Sequence, residues 1–581
     1  MADFLGVSRS ATGRRWVGLS EASDRQAQVI AQQTGLPATL CRTLARLGVL
    51  PEAATAYLAP SLRDLMPDPS IFRDMDTAAA RIKQAISARQ RIAIFADYDV
   101  DGGSSAALLI DYFRQMGLSA TLYVPDRIDE GYGPNEPAMA ELAAGHDLII
   151  CVDCGTLSHD AIGAAKGTDV IVLDHHMGGE TLPPALAVVN PNRQDEDNEF
   201  GNLCAAGVVF LTLVAINRLL RADNQTTPDL MALLDLVALA TVADVAPLTG
   251  LNRALVRQGL VIMGRRNRVG LAALSDVARL TSAPNSYHLG FALGPRINAG
   301  GRIGKADLGA RLLSTIDPHE ASSLADHLSQ LNDDRREIEM QVRLQAMEQA
   351  EARGFDAPLV WAAHEGWHPG VVGIVAARLK EATNRPTVVI GFDGDEGKGS
   401  GRSVTGIDLG SAIATCTREG LLLKGGGHKM AAGLTVTAEN LEPAMARLSD
   451  LLEKQGANDI GPKDLMLDGS VMPSAITTDL IEQLEQAGPF GAGAPAPRFA
   501  LPAQRITFAK RAGETHLRIT AQDAGGGRID AICFGAYDSP LGPLIDGNRG
   551  KLFHLAGRLE VDDWGGRKKA KLRLEDAALA E

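Results

Sequence analysis

Three short apolar runs, each ending in acidic residues, constrain this chain more than any other feature of its sequence. RIAIF (91–95) leads into Asp97, Asp99 and Asp101, followed by Gly102 and Gly103. DLIICVD (147–153) ends on Asp153, and DVIVLD (169–174) ends on Asp174 with His175 and His176 behind it. A further run, ATLYVP (120–125), stands between them, and segments of helical spacing separate the runs at 104–117, 135–145 and 157–166. Continuous apolar runs of this length are strands buried on both faces, and their alternation with helices predicts a parallel sheet in α/β order. In such a sheet ligands bind beyond the carboxyl ends of the strands, which is where these acids stand. A further acid, Asp244, follows an apolar helical run in TVADVAP.

The rest of the chain is organised around that sheet. At 581 residues it is expected to hold about three to five domains. Residues 1–80 read as an Ala/Leu/Arg-rich helical segment broken by prolines, without evident chemistry, and 81–316 as the α/β domain. Residues 317–355 carry helix formers and charge up to Gly354, which predicts one long connecting helix with a solvated charged face. Residues 356–458 are a smaller α/β region, and 459–581 are strand-rich, as expected of an oligonucleotide-binding type barrel. The six cysteines are scattered, which suits a reducing cytoplasm; Cys151 and Cys154 have no second Cys/His pair at zinc-finger spacing. No membrane span is expected, because the best apolar stretch, Leu230–Leu248, is cut by Asp235 and Asp244. The N-terminus lacks the apolar core of a signal peptide.

Carboxylates gathered at adjacent strand ends repel one another unless they are protonated or share a cation. Oxygen ligands with one or two imidazoles and no thiolate suit Mn²⁺ or Mg²⁺. Five or six carboxylates exceed the needs of one ion and suit two divalent ions with a bridging Asp, the arrangement for in-line displacement at phosphorus. The plainer reading is a set of helix N-caps beside a surface acid cluster, and three such strand ends in one domain weigh against it.

The motifs DYDVDG, VDCG, DHH and ADV, in this order, resemble the DHH phosphoesterase superfamily. VPDRIDEGYG (124–133), GPRINAGGRIG (294–304), LNDDRREIE (331–339), WHPGVVGIVAARL (367–379), SGRS (400–403), GGGHKMAAG (425–433) and GPFGAGAPAPRF (488–499) resemble, within it, the RecJ-type single-strand-specific exonucleases. The resemblance runs from about residue 80 to the C-terminus. It implies an α/β fold: a parallel-sheet DHH domain and a smaller α/β DHH-associated domain joined by the long helix, with a C-terminal OB-type β-barrel. It also implies that Asp99, Asp101, Asp153, His175 and Asp244 bind two divalent ions, Mn²⁺ or Mg²⁺, with Asp153 bridging. His176 would face the scissile phosphate and Asp174 would orient the site, for instance by holding the second nitrogen of a ligating histidine. Where many relatives carry a metal-binding His, this chain has Phe95, so Asp97 is expected to take its place. A second departure is Ala494, where relatives usually have Asn, which touches a turn contact and not the chemistry. Substrate contacts are expected from Arg127 at the 5′ end of the strand, from Arg296 along the backbone, and from Ser400, Arg402, Gly426, Gly427 and His428 of the second lobe. His368 falls inside a motif and is expected to shape the cleft.

The activity implied is 5′-to-3′ exonucleolytic release of 5′-mononucleotides from single-stranded DNA in repair and recombination, by a cytoplasmic monomer. A RecQ-type helicase and a single-strand binding protein are its implied partners. Two alternatives stay open: a DHH phosphodiesterase of short oligonucleotides or cyclic dinucleotides, and a catalytically inactive DNA-binding relative. The intact acids and histidines weigh against the second, and the C-terminal barrel against the first. The net charge of −14 would, as an average, point away from nucleic acid. It conceals a local excess: Leu501–Arg573 holds thirteen basic and eight acidic residues, with Arg567, Lys568, Lys569, Lys571 and Arg573 clustered. Phe508, Phe534, Tyr537, Phe553 and Trp564 are the barrel's stacking candidates, of which one or two are expected to touch bases.

Overall fold

Runs such as IAIFA and LIICV leave no polar side chain to face water, so their strands can exist only inside a covered sheet. The computed structural model, which describes residues 3–126, 130–197, 199–562 and 568–580, places them there. After a short N-terminal strand β1 (Arg15–Val17), the strands β2 (Ile92–Ala96), β3 (Ala120–Tyr123), β4 (Leu148–Val152), β5 (Asp169–Leu173) and β6 (Ala187–Val189) form one sheet in the order β3-β2-β4-β5-β6, every pair parallel. All residues of β2 and β4 are buried. Helices Val100–Gln115 and Ala205–Ala222 pack in this domain, and the latter is long and apolar enough to cross a membrane. It is mostly buried, as a core helix of the α/β fold.

The chain divides into two compact units, one of residues 1–301, 305–329 and 464–581, the other of 302–304 and 330–463. In the second unit β7 (Val360–Glu365), β8 (Thr387–Asp393), β9 (Glu396–Arg402), β10 (Lys424–Gly427) and β11 (Ala431–Thr437) make a mixed sheet in the order β10-β11-β9-β8-β7. The long helix Pro318–Arg353 is continuous over 36 residues. Its charges do not all face solvent: Val342, Ala346 and Ala350, spaced by four, pack with Val360, Trp367 and Val371, and Arg335 is buried against Asn332 and Glu339.

The first unit resumes with β12 (Asp464–Met466), β13 (Gly469–Ser470), β14 (Phe499–Ala512), β15 (His516–Gln522), β16 (Arg528–Cys533), β17 (Leu552–Asp562) and β18 (Lys569–Leu579). The sequence β14-β15-β16-β18-β17 closes on itself through the β14–β17 pairing, a five-stranded barrel with β13 as an added edge. The N-terminal segment shares its core with this barrel. Strand β1 pairs in parallel with β12, the fully buried Trp16 donates from Nε1 to Asp576 Oδ2 at 2.9 Å, and Ile30, Leu40 and Leu44 sit in one cluster with Phe499, Leu517 and Phe553. Phe553 is thus core, not a stacking surface, and Tyr537 is tied to Asp546; Phe508 and Phe534 are about half exposed, and Trp564 and Arg567 lie outside the described residues.

One buried cation joins the α/β domain to the segments around it. Arg253, on helix Gly250–Gly264, donates to the carbonyls of Tyr57 at 3.0 Å and Gly488 at 2.6 Å, with its guanidinium 3.9 Å from the Tyr57 ring centroid. Replacing it with alanine strands buried carbonyls and empties a cation–π contact, and is expected to cost about 3 kcal/mol of stability. Denaturant unfolding of the Arg253→Ala variant checks this; a loss below about 1 kcal/mol contradicts it.

Candidate active site

Each acid at the sheet's carboxyl edge extends its strand by one bond to a neighbour. Asp97 N donates to Val152 O, Asp153 N to Leu173 O at 3.0 Å, and Asp174 N to Val189 O at 3.1 Å. The strand ends therefore bring their side chains to one place. Asp99 caps helix Val100–Gln115, its Oδ1 accepting from the backbone of Asp101 and Gly102 at 2.8 and 3.1 Å. Asp101, one turn in, accepts from Ala205 N and Ala206 N at 2.7 and 2.8 Å and so closes the N-terminus of the next helix over the same spot. Gly102 is required by space: a Cβ there would meet Asp97 O at 2.3 Å. Asp244 arrives from another direction, as the residue that ends helix Leu234–Ala243. Asp153 holds a left-handed backbone with φ of 60° and Val245, beside Asp244, one of 61°, strain that the surrounding packing maintains at the site.

The result is three overlapping triads. Ligand atoms of Asp97, Asp99 and Asp153 lie within 4.8 Å of one another, as do those of Asp101, His175 and Asp244, and those of Asp153, His175 and His176. His175 Nε2 stands 3.3 Å from Asp153 Oδ1 and 3.7 Å from Asp101 Oδ2, with Nδ1 3.9 Å from Asp244 Oδ2. Phe95, where a histidine would be expected, is fully buried and stacks on Tyr123, whereas Asp97 turns into the cluster's first triad. The histidine ring that Asp174 holds is that of His176. Asp174 Oδ1 accepts from His176 Nδ1 and from the His175 backbone N, each at 2.8 Å, and Oδ2 accepts from Thr156 Oγ1 at 2.6 Å.

The electrostatics call for cations. Burial, followed by the charges of Asp101, Asp99 and Asp97, pushes the Asp153 carboxyl well above the usual carboxylate range. Burial also raises Asp101, and burial with Asp101 and Asp99 raises Asp244 to about 8. Burial draws Asp174 upward too, but its hydrogen bonds with His176 and Thr156 hold it below the usual range. Burial pulls His176 down, and the hydrogen bond and charge of Asp174 overcome this to raise it to about 9. The buried Asp153 Oδ1 makes no hydrogen bond, and the donors are carboxylates and imidazole, with the nearby Cys154 and Cys204 thiols pushed far up by burial. That set fits hard divalent ions such as Mn²⁺ or Mg²⁺.

A pH dependence follows. The Asp244 carboxyl is raised from 3.8 to about 8 in the folded, metal-free protein, so it adds stability below pH 3.8 that is lost as the pH rises through about 8. A bound cation reverses that loss. The gain in melting temperature from a fixed concentration of free Mn²⁺ is therefore expected to grow across this window and level off above it; a gain independent of pH would contradict the assignment.

Residues without a motif of their own hold the two histidines. Asn190 Nδ2 donates to His176 O at 2.8 Å and Thr156 Oγ1 at 2.9 Å, and Asn192 Nδ2 donates to His175 O at 2.6 Å. Tyr132 places its hydroxyl 3.1 Å from His176 Nε2 and 3.2 Å from Asp153 O, and is 55% exposed. It lies in VPDRIDEGYG, the one sequence signal that pointed near it. Arg127, in the same motif, lies outside the described residues. Arg296 donates to Ala292 O at 2.7 Å and Ser329 Oγ at 3.3 Å, bonds within the fold.

In the second unit, Ser400 and Arg402 lie on β9 and Gly426 and Gly427 on β10, with β11 between. Arg402 Nη1 donates to Ser400 Oγ at 2.9 Å, and His428 follows β10 exposed. Gly427, with φ of 143°, leaves no room for a Cβ, which would lie 2.5 Å from Ala432 Cα. His368 Nδ1 caps helix Pro369–Thr383 by accepting from Gly370 N at 3.0 Å.

Three family models match the chain: the DHH family N-terminal domain at residues 91–241, the DHHA1 domain at 356–454 and the RecJ OB domain at 467–576. The chain is 38% identical to the single-stranded-DNA-specific exonuclease RecJ of Dickeya dadantii, over 93% of this chain and 96% of that protein. It is 35% identical to the Escherichia coli protein of that name, with the same coverage of each. Among solved structures, RecJ of Thermus thermophilus in complex with Mn²⁺ aligns with a TM-score of 0.80 at 28% identity, covering 97% of this chain and 79% of that one. Its Mg²⁺ complex aligns with a TM-score of 0.73 at 27% identity, over 97% of this chain and 78% of that one.

Proposed function

Since the chain belongs to the RecJ family of single-stranded-DNA-specific exonucleases, we propose that it degrades single-stranded DNA from the 5′ end and releases 5′-mononucleotides by two-metal phosphodiester hydrolysis. The observation that carries this reading is the pair of carboxylate-rich triads that meet at Asp153 and His175, with His176 beside them and a nucleic-acid-binding type of barrel in the same unit. Asp97, Asp99 and Asp153 would hold one divalent ion, and Asp101, Asp153, His175 and Asp244 the other. When bound, such ions lower the pKa of water and neutralise charge that builds on phosphoryl oxygens. His176, kept protonated by Asp174, donates from Nε2 to a non-bridging phosphate oxygen, taking up the bond it now shares with Tyr132. Asp174 fixes which nitrogen of His176 is offered. Ser400, Arg402 and the glycine backbone at 426 and 427 suit phosphate, and His428 suits the adjoining sugar.

The catalytic domain would span 81–316 and the barrel 459–581, with the DHH-associated domain at 356–458, the long helix at 317–355 and the N-terminal segment at 1–80. The enzyme would act in the cytoplasm as a monomer in repair and recombination, on strands opened by a RecQ-type helicase and presented by a single-strand binding protein. The test is a set of four substrates with Mn²⁺: 5′-labelled single strand, 3′-labelled single strand, blunt duplex and a cyclic dinucleotide. Early release of the 5′ label alone is expected. Early release of the 3′ label, or preference for the dinucleotide, overturns the reading.

A further inference from the structure

The sequence SYHLGFALGPR ahead of Arg296 forms a π-helix at His288–Leu293. Such widened turns are rare and concentrate at functional sites. Here the turn sets Tyr287 and Phe291 face to face at 5.0 Å, tilted by 27°, and leaves them 52% and 71% exposed. Two stacked aromatic rings left in water lose the burial that normally holds such rings in place. The barrel supplies a second observation. Arg573, on β18, sets its guanidinium 5.6 Å from the Tyr287 ring and 5.4 Å from that of Phe534, itself 53% exposed, while also lying 3.4 Å from Glu560. Register puts Arg573 in a row of cations interrupted by Ile532: Lys510 faces Arg518, Arg518 faces Ile532, Ile532 faces Arg573, and Arg573 faces Arg558, which is ion-paired to Glu575. Directly opposed residues share a face, so the row carries four cations across the barrel, and Arg573 within it lies against the exposed ring of Tyr287.

We propose that Tyr287 and Phe291, joined through Arg573 to Phe534, form a stacking lane for unpaired nucleobases that carries a single strand between the barrel and the catalytic domain. Flat ring faces beside guanidinium groups accept any base by its π-face and the backbone by its charge, and they offer nothing to a duplex whose base faces are covered. The inference rests on the single-strand nuclease reading and adds positioning residues that none of the sequence motifs contains.

The test uses the full-length chain carrying Asp153→Asn, so that substrate survives, with Mg²⁺ present. Affinity is measured by fluorescence anisotropy for an oligothymidine of about 30 nucleotides and for an abasic strand of equal length. The ratio of the two affinities reads base stacking and cancels phosphate contacts. Tyr287→Ala/Phe291→Ala is expected to lower that ratio by at least about tenfold, and Tyr287→Phe/Phe291→Tyr to preserve it. In a Tyr287→Trp variant, oligothymidine should quench the emission of the new indole and the abasic strand should not. An unchanged ratio, or quenching by neither strand, overturns the lane while wild-type protein still degrades single strands. A wild-type protein that neither binds nor degrades them overturns the reading beneath it.

Discussion

Asp153→Asn is expected to lower kcat on single-stranded DNA by at least about 10⁴-fold and to raise the melting temperature of the metal-free protein. The two effects have one cause. Asp153 belongs to two of the three triads and is buried among Asp97, Asp99 and Asp101, with an oxygen that makes no hydrogen bond. Asparagine tolerates the left-handed backbone that Asp153 adopts, so the turn survives. What disappears is a charge that is costly without cations and indispensable with them. Metal ions supply several kcal/mol of transition-state stabilisation, and about 5 kcal/mol corresponds to about 10⁴ in rate. Removing one of several crowded buried carboxylates relieves repulsion in the apo state, which a calorimetric scan in chelator reads as a rise of a few degrees. A variant that keeps more than about 1% of wild-type kcat, or that melts lower in chelator, contradicts the assignment.

The second large effect is expected at Asp174, which need not touch substrate. Its Oδ1 accepts from His175 N, His176 N and His176 Nδ1, and its Oδ2 from Thr156 N and Oγ1. Every one of these bonds requires an acceptor. Asp174→Asn turns one side into a donor that faces the Thr156 amide, and it removes the negative charge that raises His176 to about 9. Loss of that charge and of ring orientation is expected to cost about 10³-fold in kcat, with a smaller change in KM. The variant should also move the alkaline limb of the pH–rate profile to lower pH, because His176 then loses its proton earlier. A merely structural role would lower stability without moving that limb.

Much of the site was legible because the local rules that place its residues are short-ranged. An acid after a buried parallel strand lies at the carboxyl edge, and Asp97, Asp99, Asp153 and Asp174 obey this with no knowledge of the rest of the fold. Asp244 was legible by a different route, as an acid terminating an apolar helix. Thr156, Asn190 and Asn192 were not legible, since each is an ordinary polar residue until the loop of His175 and His176 packs over it. The shared core of residues 27–54 with the barrel was equally hidden, because nothing in a helical segment names the strand cluster, hundreds of residues away, that will bury it.

The sequence by itself determined the parallel sheet, the edge at which the acids gather, the donor types and hence the class of cation they suit. These follow from apolar periodicity and ligand chemistry, which act between near neighbours. Only the tertiary structure decided that Asp174 holds the ring of His176 rather than that of His175, that Arg296 is drawn into bonds with Ala292 and Ser329, and that Arg573 on the barrel meets the exposed ring of Tyr287. Hydrogen-bond partners, burial and the meeting of strand faces depend on which distant segments pack together, and that is set by the folded chain as a whole.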